Sequence, residues 1–161
     1  MLFGIGKKKE IVISAPVSGK IKPVSSLPDE TFSSGVLGPG IAIVPEGGHV
    51  SAPADGTLDQ MFDTGHAFSM TTESGVELLV HVGLDTVRLK GKHFTRIKRT
   101  GDSVRAGDSL IDFDESAVRG EGYDTTIVVV VLNQDKFSNI RFTGEGSVRA
   151  GDPLVQLEAK R

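Results

Sequence analysis

Histidine is the side chain best suited to chemistry near neutral pH in this 161-residue chain, which has four of them and no cysteine. An imidazole has an ordinary pKa of ~6.5, so around neutrality much of it is an unprotonated nucleophile, able to attack phosphorus and to leave again. A phosphate relay of that kind needs one ring nitrogen free. The other must hold its proton on an acceptor, commonly a backbone carbonyl, which fixes the tautomer and aims the ring. A second histidine beside the first can donate to the phosphoryl oxygens as charge builds during transfer. His66 and His81 are the candidates for this pair. Gly83, just beyond His81, lacks a side chain and can bring its carbonyl close, and Thr64, just before His66, offers a hydroxyl to orient that ring. Taken alone, two histidines at strand ends are as readily structural as functional. His49, after Gly47-Gly48, and His93, in Lys90-Gly91-Lys92-His93, read as solvated surface.

The pair must be positioned by the stretch around it. Ala67 to Thr72 and Val76 to Val82 read as two strands of a hairpin joined at Glu73-Ser74-Gly75. A two-residue turn, at Glu73-Ser74 or at Ser74-Gly75, puts both imidazoles on one face. They then stand directly opposite, with Cβ atoms roughly 4.5–5.5 Å apart, or diagonal at about 7–8 Å. A three-residue turn puts them on opposite faces. Ser-Gly suits the two-residue turn because glycine accepts a positive φ, so histidines sharing a face through that register are the expectation.

The remainder supports an all-β fold. Twenty glycines and seven prolines punctuate short β-type runs, and no segment sustains a helical apolar period for three turns. Two internal echoes stand out. Ala15-Pro16-Val17-Ser18-Gly19 returns as Ala52-Pro53-Ala54-Asp55-Gly56, and Ser103-Val104-Arg105-Ala106-Gly107-Asp108-Ser109-Leu110 returns as Ser147-Val148-Arg149-Ala150-Gly151-Asp152-Pro153-Leu154. Two copies are too few for a solenoid and read as equivalent corners of a two-fold-like β-sandwich or barrel. Short helices are expected over Leu27–Gly35 and Asp112–Gly120. The β-branched run from Thr125 to Leu132 reads as a strand buried on both faces.

The length fits one domain, expected over residues 11–161, after a short flexible basic tail over residues 1–10. The tail has no secretory pattern, no apolar run approaches the ~20 residues of a membrane span, and basic residues are not interleaved with aromatics as in nucleic-acid binders. The initiating Met favours a free-standing protein over an excised domain.

Ala15-Pro16-Val17-Ser18-Gly19, Gly38-Pro39-Gly40-Ile41-Ala42-Ile43, Ala52-Pro53-Ala54-Asp55-Gly56, Thr64-Gly65-His66-Ala67-Phe68 and Val76 to Val87, with His81-Val82-Gly83-Leu84-Asp85-Thr86 inside it, resemble the glucose-family enzyme IIA of the bacterial phosphoenolpyruvate-dependent sugar phosphotransferase system. The resemblance covers about residues 11 to 158. It implies an antiparallel β-sandwich of the duplicated-hybrid-motif type. It also implies that His81 accepts a phosphoryl group on Nε2 from the phosphocarrier protein HPr and passes it to a cysteine of the IIB domain of a sugar permease. His66 would stabilise that group, supported by Thr64, while the Gly83 carbonyl holds the His81 ring. An apolar docking rim of Phe32, Val36, Leu37, Phe62, Phe68, Leu79 and Val87, fringed by Asp29 and Asp85, would receive a basic partner surface and exclude water. The resemblance further implies a cytoplasmic protein that meets the membrane through the permease and needs no cofactor. Regulated transporters or kinases are further partners, one of them supplying a carboxylate to a zinc ion bridged by His66 and His81. The tail is shorter than the N-terminal membrane helix of some members, so recruitment through it is not expected. Leu79 and Val82 stand where some relatives carry phenylalanine.

Two other patterns are present in part. His81-Val82-Gly83-Leu84-Asp85 has the His-x-x-x-Asp spacing of a zinc peptidase, but no two histidines form the His-x-His pair that chemistry also needs. Gly-x-x-Val-x-x-Gly-Asp-x-Leu resembles half of a lipoyl or biotinyl carrier, with Asp135-Lys136 as its turn, but the chain has no Met-Lys-Met.

Overall fold

A computed structural model describes residues 9–160. The expected basic tail therefore lies outside the described residues except for Lys9 and Glu10, and Glu10 already opens the first strand.

The described residues form fourteen short strands: β1 (Glu10–Ser14), β2 (Gly19–Pro23), β3 (Gly40–Pro45), β4 (His49–Ser51), β5 (Gly56–Met61), β6 (Ala67–Thr72), β7 (Glu77–Val82), β8 (Phe94–Arg96), β9 (Ser103–Val104), β10 (Ser109–Phe113), β11 (Ile127–Val131), β12 (Phe137–Phe142), β13 (Ser147–Val148) and β14 (Pro153–Ala159). One sheet runs β13-β2-β3-β11-β7-β6-β5-β9, and two three-stranded sheets, β1-β14-β12 and β4-β10-β8, complete it. Every strand pair is antiparallel. The all-β antiparallel sandwich expected from the sequence is what forms.

The echoes become a structural duplication. Ser147 and Val148 pair with Lys20 and Gly19, just as Ser103 and Val104 pair with Thr57 and Gly56. Ala15 N–H donates to Asp152 O and Ala52 N–H to Asp108 O, both at 2.8 Å, and the return bonds from Gly151 and Gly107 are both 2.9 Å. The two halves cross at reciprocal bonds, Ser14 N–H to Pro53 O and Ser51 N–H to Pro16 O, both 2.8 Å. In each Gly-Asp turn the aspartate side chain accepts an arginine amide three residues back, Asp152 from Arg149 and Asp108 from Arg105. These turn bonds recur in both halves, which is why the repeat is visible in sequence.

β11 lies at the centre of the large sheet, between β3 and β7, and every one of its residues is buried. Its alternation divides the interior. Ile127, Val129 and Val131 enter the main core, whereas Val128 and Val130 join a smaller cluster with Leu27, Phe32, Ala42 and Leu84 on the other face. Val128 stands directly opposite His81 in the β11–β7 register, so His81 belongs to the small-cluster face. Helix α1 (Glu30–Ser33) is shorter than expected. It is a single turn capped by Asp29, whose carboxylate accepts Thr31 N–H at 2.9 Å, and it lowers Phe32 onto that cluster. Helix α2 (Glu115–Gly120) starts later than expected, at the Asp114 cap, because pairing with His49 and Phe94 claims Asp112 and Phe113 for β10.

Candidate functional site

The hairpin that carries the histidines does not close through the expected two-residue turn. Thr72 N–H donates to Val76 O and Gly75 N–H to Thr72 O, both 2.9 Å, leaving Glu73-Ser74-Gly75 as a three-residue loop with Gly75 at φ +87°. Asn133, 8% exposed, fixes this loop: its Oδ1 accepts Glu77 N–H and its Nδ2 donates to Gly75 O. The resulting register pairs Ala67 with His81. Strand alternation alone would then send His66 and His81 to opposite faces. They nevertheless meet, with ring centroids 5.0 Å apart and planes at 78°. The reason is that His66 precedes β6 and sits in a bend. Gly65, at φ +74°, donates to Phe62 O at 2.8 Å, and this turn frees the His66 ring from the alternation. The His66 carbonyl still accepts Val82 N–H at 2.6 Å, so the bend is tied to β7.

Two further rings extend the pair. Phe62 lies 5.2 Å from His66 and Phe32 lies 5.2 Å from His81, both at steep interplanar angles. His81 Nδ1–H donates to Gly83 O at 2.6 Å, leaving Nε2 free of that duty. No other residue fits at Gly83. Its φ is +83°, and a Cβ there would stand 2.4 Å from Thr86 Cγ2 and 3.0 Å from Asp124 O. His66 is 4% exposed, and its Nδ1 is hydrogen-bonded to Thr64 Oγ1. Burial, and then the neighbouring His81 charge, push the His66 pKa down to about 4. Burial also lowers the His81 pKa, against the opposing pull of its bond to Gly83 and of the Asp29 and Asp85 carboxylates. Both rings are therefore neutral at pH 7. If the Thr64 hydroxyl donates to Nδ1 of His66, the ring proton stays on Nε2, where it is available to an anion.

The family described as phosphoenolpyruvate-dependent sugar phosphotransferase system, EIIA 1, matches residues 11–137. The chain belongs to this family. Among its relatives, the glucose-specific EIIA component of Haemophilus influenzae is 42% identical over 96% of this chain and 93% of its own length. The β-glucoside-specific EIIBCA component of Dickeya chrysanthemi is 41% identical over 94% of this chain, which spans 24% of that larger protein. Among solved structures, the glucose permease IIA of Mycoplasma capricolum superposes with a TM-score of 0.81 at 33% identity, covering 92% of this chain and 96% of that one.

Around the histidines of this EIIA chain the expected rim residues divide. Val36 and Val87 are 76% and 50% exposed. Leu37 and Leu79 are half-buried against the small cluster, and Phe62, also half-buried, lines an open groove of about 560 Å³ together with Asp59, Asp63, Thr64, His66 and Val87. Phe32 is buried yet touches the His81 ring. Phe68 corrects the expectation: it is fully buried in the main core, because pairing with Val80 points it away from the His81 face, and it offers nothing to a partner. Asp29 is half-buried and Asp85 exposed, and both act on His81 electrostatically.

Sequence reasoning missed the partners of the other two histidines. His49 Nδ1 meets Asp112 Oδ1 at 2.7 Å and its Nε2 meets Ser109 Oγ at 3.1 Å. This has the connectivity of a hydrolytic triad, but the His49 and Asp112 side chains are 57% and 55% exposed, so water competes for each bond and screens the carboxylate. His93, at φ +76°, is bonded to Glu121. Among the described residues no group of three or more His, Cys, Asp or Glu side chains could hold a metal ion.

Proposed function

We propose that this EIIA chain is a phosphoryl carrier of the sugar phosphotransferase system, taking its phosphoryl group from HPr on His81 Nε2 and handing it to the IIB domain of a glucose-family permease. The observation that carries this reading is the bond from His81 Nδ1–H to Gly83 O beside a neutral His66. The Nε2 lone pair attacks phosphorus as the donor's bond to it breaks. In the second step a IIB cysteine attacks, and His81 leaves as the neutral ring it was. His66 Nε2–H donates to the phosphoryl oxygens in both steps, with Thr64 holding its ring. The apolar side chains around the pair exclude water from the labile N–P bond, and Asp29 and Asp85 meet a basic partner. The β-glucoside EIIBCA relatives, whose name joins A to B and C components, support IIB as acceptor.

Residues 11–161 act as one unit in this reading, since the main core joins residues from Ile13 near one end to Leu157 near the other. No helix among the described residues is long and apolar enough to cross a membrane, and we place the chain in the cytoplasm, reaching the membrane through the permease. Regulated transporters or kinases would use the same face. His66 and His81 supply two zinc ligands at most, so a bridged ion would need a partner carboxylate to complete its shell. Incubation with phosphoenolpyruvate, enzyme I and HPr should place one acid-labile phosphate on His81, located by mass spectrometry. Undiminished phosphate in His81→Ala overturns the assignment. His66→Gln should accept phosphate but deliver it poorly to IIB, and normal delivery would remove the role given to His66.

A further inference from the structure

The Gly83 carbonyl can select the His81 tautomer only if its own peptide plane is held. The hydrogen bonds around it show how. The Gly83–Leu84 peptide receives His81 Nδ1–H at its oxygen and gives its N–H to Asp124 O at 2.9 Å. The preceding Val82–Gly83 peptide gives its N–H to Thr126 O at 3.0 Å, and its oxygen accepts the Thr86 hydroxyl at 2.6 Å. Both planes flanking Gly83 are thus pinned at both ends. Three of the four pins are backbone carbonyls or the His81 ring itself. Thr86 Oγ1 is the one supplied by a side chain outside the histidine pair, and Thr86 is 0% exposed. Its methyl group meanwhile fills the space a Gly83 Cβ would need. Gly83, at φ +83°, has no side chain of its own to resist rotation, so without the Thr86 bond the Val82–Gly83 peptide is held only at its N–H and the Gly83 carbonyl can swing away from the ring.

We propose that Thr86 is a positioning residue of the phosphoryl relay: its hydroxyl, by fixing the Val82–Gly83 peptide, holds the Gly83 carbonyl on His81 Nδ1–H and so keeps Nε2 unprotonated and nucleophilic. Without it the ring proton is free to move to Nε2, the site favoured in an unrestrained imidazole, and a protonated Nε2 cannot attack phosphorus. Thr86 touches neither phosphate nor partner in this scheme. It acts through the backbone.

This inference rests on the reading of His81 as the acceptor, but its first test does not. Nitrogen-15 spectra of the unphosphorylated protein report which ring nitrogen of His81 carries the proton. Thr86→Val keeps the shape and removes the hydroxyl, and Thr86→Ser keeps the hydroxyl and removes the methyl. Thr86→Val should move His81 from the Nδ1–H form towards a mixture with Nε2–H and slow phosphorylation by phospho-HPr about 10- to 100-fold, a loss of the size that misplacement of a reacting group produces. Thr86→Ser should restore both. A Thr86→Val protein with an unchanged tautomer and a rate within about twofold of the unaltered protein overturns the proposal. So does loss of folding in both Thr86→Val and Thr86→Ala while Thr86→Ser folds, because the hydroxyl would then serve stability alone. If the tautomer shifts as described but the unaltered protein takes no phosphate on His81, the positioning stands and the relay reading falls.

Discussion

Acidification should reveal the cost of charging His66. The unfolded chain holds this proton with the ordinary pKa of 6.5, the folded one only below about 4. Between those values the unfolded state binds more protons than the folded state, so stability falls as pH falls. Above about 6.5 both states are neutral and the term vanishes; below about 4 both are charged and the penalty is complete. At ~1.36 kcal/mol per unit the gap amounts to about 3 kcal/mol, a large share of the ~5–15 kcal/mol that stabilises a typical domain. His66→Gln removes the titrating group, while the pairs His49–Asp112 and His93–Glu121 remain in both proteins and cancel. Urea unfolding at intervals from pH 7 to pH 4 should therefore show the unaltered protein losing about 3 kcal/mol more than His66→Gln, with the divergence starting near pH 6.5. Parallel stability curves, or an NMR titration of the His66 ring near its ordinary pKa, would refute the reasoning, since burial beside His81 would then carry no electrostatic penalty.

Two other perturbations test the frame of the site. Gly83→Ala must take a residue with a side chain to φ +83° and press its Cβ against Thr86 Cγ2 at 2.4 Å, so chemical denaturation should show a loss of about 2–5 kcal/mol, together with lost phosphate acceptance. An unchanged midpoint would mean that the turn is free to rearrange. Asp29→Asn keeps an oxygen to cap Thr31 N–H but removes a negative charge that favours protonated His81, so the His81 pKa should fall further by NMR titration while the melting temperature changes little; a rise would contradict the placement of Asp29 beside the ring.

What could be read in the sequence was what local chemistry determines. The Gly-Asp corners and the Ala-Pro turns repeat the same bonds in both halves, so the duplication was legible without knowing which strands pair. The strands flanking the histidines were legible from their alternation. The turn between them was not, because its length is decided by Asn133, a residue far along the chain that holds Glu77 and Gly75. His66 and His81 therefore meet by another route than the expected two-residue turn: the register separates them, and the bend at Gly65 returns them. Phe68, apolar and near His66 in sequence, fits the rim by composition alone, whereas the β6 alternation buries it. The Asp112 partner of His49 and the Glu121 partner of His93 come from other elements and leave no trace in local pattern.

The position of the site within the hairpin also bears on how such a chain can be joined to others. His66 and His81 stand at the open end of β6 and β7, and the Glu73-Ser74-Gly75 loop closes the opposite end, six residues or about 20 Å away at the usual rise per residue. Lys9 and Lys160 line the same groove as Glu73 and Ser74. Both ends of the described chain therefore leave the sandwich near the pole opposite the histidines. A polypeptide continued from either one starts clear of the two rings and of the exposed Val36 and Val87. The EIIBCA relatives are about four times longer than the region they share with this chain. A tether there raises the local concentration of an attached domain without covering the face that carries His66 and His81.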